Sequence, residues 1–200
     1  MTAKGRGTGR LRGTADVDPA ERVRDFARVQ ARAGLLADHA VVVEVSEAAA
    51  EDLGADEAAV FAHRVLAEVR AELLEEQAGW PDVTDHDRLE QVFAALEHRD
   101  LVVLQGVDDH WAATRELERL DDAGQRTRGI AWFTAPDVWH AIDHGMLEVN
   151  LWHGDTANAA PGDELLDEVV AVFADHGLAA HFDEGRIEVA AFWQRRLAEA

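Results

Sequence analysis

Apolar residues recur every three to four positions through the N-terminal half of the chain, and in short alternating runs after it. The first rhythm predicts helices that bury one stripe; the second predicts strands. Asp18 and Pro19 are placed to cap and open a helix, with Glu21 in its first turn, and Val23, Phe26, Val29, Ala33 and Leu36 supply its apolar stripe. Over residues 38–53 two patterns compete. Val41, Val42, Val43 and Val45 have strand propensity, whereas Val41, Val45, Ala48, Ala49 and Leu53 share a helix face. The helical spacing continues through residues 46–51 and predicts a helix. Over 56–77 Phe61, Val65, Val69 and Leu73 form one stripe; Glu68, Glu72, Glu75 and Glu76 fall outside it, and Arg64 stands four before Glu68 as an expected pair. Gly79 and Pro81 stop that helix.

Thr84 is a natural N-cap, with Asp85 and Asp87 set against the positive helix end, and Leu89, Val92, Phe93 and Leu96 line the buried face. The pattern then predicts a strand over 101–105 and a helix over 108–122, with Asp108 as its cap and Asp109 in its first turn. A strand over 128–134, a short helix over 136–144 and a strand over 146–152 come next. A helix over 163–176 leads to a hairpin of 178–183 and 186–193, turning at Asp183, Glu184 and Gly185. Strands alternating with helices argue for a partly parallel sheet. The expected fold class is α+β: an N-terminal helical subdomain (18–79), then a five-stranded mixed sheet with packed helices and a C-terminal hairpin (80–200), the two forming one folding unit. Residues 1–17, rich in Gly, Thr and Arg, read as a disordered basic tail.

Composition narrows the classes. Forty acidic residues against 19 basic ones give a formal charge of -21, and four of the basic residues (Lys4, Arg6, Arg10, Arg12) sit in the tail. A body that acidic repels phosphate backbones, which excludes nucleic acid as the main partner. It suits a partner with a basic surface, or simply solubility; Lys4 as the sole lysine points to a coding bias behind the acidity. No apolar run has the length of a membrane span, so no membrane partner is expected. The absence of cysteine removes disulfides, thiolate metal sites and a Cys nucleophile, and fits a cytoplasmic location.

Trp80, Pro81, Thr84, Asp87, Arg88 and Leu89 spell W-P-x-x-T-x-x-D-R-L; Gly177-Leu178, Arg186-Ile187-x-Val189 and Trp193-x-Arg195-Arg196 follow near the C-terminus. On these residues the chain resembles an uncharacterised bacterial family, a domain of unknown function, over roughly residues 20–197. None of these motifs is diagnostic of a reaction. The resemblance implies a Cys-Cys-x-x-Cys cluster after the first strand, but the corresponding residues 106–115 contain no cysteine. The polar Gln-Asp pair of relatives after the second strand is reduced here to Asp137.

Four groups of residues are candidates for chemistry. His140 and His144 lie one helical turn apart with Asp137 on the same side, and His153 and Asp155 follow the third strand; together they have the composition of a zinc site. The competing reading is a solvated helix whose histidines answer its C-terminal dipole. Asp108, Asp109 and His110 stand where relatives carry cysteines, as harder metal ligands or as a helix start. Asp85, His86, Asp87 and Arg88 could do acid–base work or form a capping cluster. Trp111 and Trp139, on short polar helices, are the interaction candidates, while Trp132, Trp152 and Trp193 read as packing residues. No phosphate-cradling glycine motif and no G-x-S-x-G occurs. The sequence therefore favours a non-enzymatic protein-interaction domain without a cofactor, binding a basic protein surface or a second copy of itself. The alternative is a divergent metal-dependent enzyme using Asp137, His140, His144 and His153. A third reading is a small-molecule pocket above the parallel strand ends.

Overall fold

A computed structural model describes residues 18–197, so the basic tail expected over 1–17 lies outside the described residues. Helix α1 (Pro19–Ala33) begins where Asp18 accepts a hydrogen bond from the Ala20 N–H at 3.1 Å, and ends at Gly34, whose φ of 62° favours glycine. Helix α2 (Asp38–Leu53) forms despite its valines. Val41, Val45 and Ala49 are buried on one face, and that burial outweighs strand propensity. Helix α3 (Ala55–Gln77) buries Ala58, Ala62, Val65, Leu66, Val69 and Leu73, so its stripe is rotated from the expected one and Phe61 is only partly covered.

The expected Arg64–Glu68 pair does not form. Arg64 instead lies over the Phe61 ring at 5.3 Å, and Glu68 turns to α1. There Arg24 reaches Glu68 (2.8 Å) and Glu72, Arg28 reaches Glu72 (3.2 Å) and Glu76 (2.6 Å), and Arg32 reaches Glu76 (3.0 Å). Both series climb by one turn at a time, so α1 and α3 lie parallel and are laced by a ladder of ion pairs.

Helix α4 (Asp85–Glu97) leads to strand β1 (Leu101–Val107), which runs past the expected end through an irregularity between Leu104 and Val107. Gly106 has φ 61° there, and an added Cβ would meet the Leu35 side chain at 2.6 Å. Helix α5 (His110–Asp122), β2 (Gly129–Thr134), α6 (Ala135–His144), β3 (Met146–His153), α7 (Glu164–Asp175), β4 (Ala179–Asp183) and β5 (Arg186–Ala190) complete the described elements. The sheet order is β1-β2-β3-β5-β4, with β1 and β2 parallel and every other pair antiparallel. The class is α+β with a five-stranded mixed sheet, as the hydrophobic pattern predicts. Between β2 and β3 there is only α6 and Gly145, short of the dozen or so residues a parallel crossover takes, so β3 turns back.

One face of the sheet carries the main core, where Leu89 and Phe93 of α4, Val138 and Ala141 of α6, and Phe173 of α7 pack with Phe133 and Leu147 of the strands. The helices α1–α3 enclose a second core. On the opposite sheet face α5 covers a third, small cluster of Ala113, Leu117, Ile130 and Trp132. Strand β5 ends earlier than expected, at Ala190, and residues 191–197 leave the sheet as a strap. Trp193 of the strap enters the main core and Leu197 the helical one.

Candidate functional site

The Asp/His candidates on α6 and β3 part company. Asp137 turns to the start of α6, where its carboxylate accepts from the Thr134 N–H and hydroxyl, both at 2.7 Å. His140 and His144 are neighbours, with ring centroids 4.8 Å apart. His153 pairs with Asp163 at 3.1 Å, and Asp163 also accepts from the Ala160 N–H at 2.7 Å. The His153 ring and then that amide hold the Asp163 carboxyl below its usual range. Among the described residues no three His, Asp or Glu side chains come together as ligands for one ion. Within residues 106–115, Asp109, not the expected Asp108, is the cap of α5, accepting from the Trp111 N–H at 2.9 Å.

The tryptophan candidates also separate. Trp139 is half-buried and packs against the main core. Trp111 is 56% exposed. Its ring lies 4.6 Å from that of His110, which lies 6.5 Å from Trp152, which meets Trp132 edge-on at 5.3 Å. Four rings thus run from solvent into the α5 face of the sheet, with buried Trp132 at the inner end. The exposed ring thus stands at the outer end of a row of aromatic neighbours.

The two motifs that carry the family resemblance meet at a third place. Thr84 and Asp87 form a reciprocal capping box at the start of α4. Arg88 pairs with Asp85 at 2.9 Å, and Asp85 accepts from the Phe192 N–H at 3.2 Å. Arg196 of the strap donates to the Pro81 carbonyl at 2.5 Å, and Trp193 donates to the Ala33 carbonyl at 3.0 Å. His86, buried, sets its ring edge-on to Trp193 at 4.7 Å. Burial first, and the Arg195 charge second, push the His86 imidazole down to about 4 against a smaller opposing pull from Asp87. It is neutral near pH 7. The W-P-x-x-T-x-x-D-R-L segment and the W-x-R-R segment thus form a clasp between α4 and the strap, in which Asp85 and Asp87 hold backbone amides and Arg88 pairs with Asp85.

Sequence reasoning gave Arg195 no role beyond the motif. Its surroundings, Gly34 and Asp38, come from the far end of the chain, so no local spacing could have pointed to them. No helix among the described residues is long and apolar enough to cross a membrane. No curated protein and no solved structure matches the chain. The profile of a domain of unknown function, DUF6891, matches residues 16–197, a span that takes in every described element, both motif segments and the strap, and the chain belongs to that family.

Proposed function

We propose that this protein is a non-enzymatic interaction domain that docks a protein partner of basic surface through the α5 face around Trp111. The observation that carries the reading is the exposed Trp111 ring seated on a stack of three further aromatic rings. A large ring held in place before binding loses little freedom when covered, which is why such residues dominate interface energies. The surrounding charge supplies the second half of recognition. Asp108 and Asp109 precede the ring at the start of α5, Glu116 is taken up by Arg119, and the chain as a whole carries a formal charge of -21, a field that steers a basic partner.

The test is affinity capture from the native host's lysate at low salt, with wild type, Trp111→Ala and Trp111→Phe compared by quantitative mass spectrometry. The reading expects a basic protein retained by wild type and largely by the Phe variant. Trp111→Ala should weaken that capture by about thirtyfold, the cost of losing a hot-spot ring. Identical captured sets for wild type and Trp111→Ala would refute it. Sedimentation of the purified protein gives the remaining outcome: a dimer that Trp111→Ala dissociates would make the partner a second copy of the chain.

A further inference from the structure

A cavity of about 460 Å³ opens between α1, α2, α3 and the strap. Its walls are largely apolar, with Leu36, Val41, Val42, Leu66 and Ala67 contributing, and the charges at its polar end are Arg195, Arg70 and Asp38. Arg70 is already paired with Asp38 at 3.0 Å. Arg195 is not paired: no carboxylate among the described residues lies within ion-pair distance, and its Nε is buried without a hydrogen-bond partner. The guanidinium lies against the backbone at Gly34, where an added Cβ would come within 2.0 Å of its atoms. That glycine gives the arginine its place. Burial and the neighbouring Arg70 charge both press the Arg195 pKa downward, with Asp38 offsetting only part. A half-buried cation without a counter-ion is costly to hold, and an oxyanion delivered to it recovers that cost.

The charge balance sets the class of ligand. Two arginines against one aspartate leave a single positive charge at the polar end, enough for a monoanion and too little for a phosphate dianion so close to Asp38. The apolar walls call for a hydrocarbon body, and the volume is that of a small-molecule site. We propose that this cavity binds a small monocarboxylate with an apolar body, its carboxylate seated on Arg195 and its body between α1, α2 and α3. The site lies among the N-terminal helices, away from Trp111 on the α5 face, and stands independently of the interaction reading.

The probe is octanoate, compared with octanol and with inorganic phosphate, followed by thermal melting and by amide shifts in ¹⁵N spectra of the whole chain. Octanoate should raise the melting midpoint in a concentration-dependent way and move the amides of Gln30, Val42 and His63, while octanol and phosphate do neither. Arg195→Met should weaken octanoate binding at least about tenfold, because a charge-assisted contact is lost. Trp111→Ala should leave it unchanged. Val42→Trp, which fills the cavity from its partly exposed wall, should abolish binding with Arg195 intact, and serves if the Met variant does not fold. Octanoate without effect at tens of millimolar, octanol binding equally well, or Arg195→Met binding within twofold of wild type would each overturn the proposal.

Discussion

His86 is a neutral imidazole enclosed between α4 and the strap, edge-on to Trp193, with Glu90 no nearer than 3.9 Å. Its pKa is lowered in the folded protein to about 4 from an ordinary 6.5, so the unfolded chain takes up a proton first. The stability linked to this group is complete above pH 6.5 and is lost as pH falls towards 4, with no further loss below that. The shift corresponds to roughly 3 kcal/mol across the window. Chemical denaturation at steps of half a pH unit should show that slope, and His86→Phe should flatten it. An unchanged slope in the variant would assign the acid sensitivity to other groups. At the clasp, Thr84→Ala removes one partner of a capping box and should cost about 1 kcal/mol without changing the fold, measured by the same denaturation.

Between elements, the ladder joining α1 to α3 is made of part-exposed pairs, which individually contribute little in water. Arg28 takes part in two of them, so Arg28→Ala should lower stability by about 1 kcal/mol at low salt and by clearly less in molar salt. A loss independent of salt would mean that the aliphatic stem, not the charge, matters there. Because Arg24 already spans Glu68 and Glu72, and Arg28 spans Glu72 and Glu76, a slip of one turn would keep most rungs; register must come from the buried teeth Ala27, Ala58 and Ala62. Elements of this kind were legible in the sequence because period and caps are local signals: Asp18 and Thr84 mark their helix starts as expected. The register between elements was not. Arg64 was expected to satisfy Glu68 within one helix, and only the packed geometry shows that Arg24 does so across two. Trp111 could be singled out from its polar neighbours, but the stack behind it depends on β2 and β3 pairing Trp132 beside Trp152's neighbours, a non-local fact.

At the scale of the whole molecule, the strap is shared property. Trp193 is buried in the sheet core and hydrogen-bonds α1, while Leu197 closes the helical core and exchanges hydrogen bonds with Gln77 at 2.9 and 3.3 Å. Trp193→Ala should therefore cost about 3–5 kcal/mol and loosen both cores together. Hydrogen exchange would show it as a joint loss of protection in α3 and β3; loss confined to the sheet would mean two units that unfold separately. The same arrangement orders events during translation. The helices α1–α3 leave the ribosome first, but their core lacks Leu197, and Arg195 its place against Gly34, until every strand has followed. A nascent chain carrying all three helices still exposes the Leu197 side of its core while the sheet is being made, which makes that surface the one for chaperones to cover.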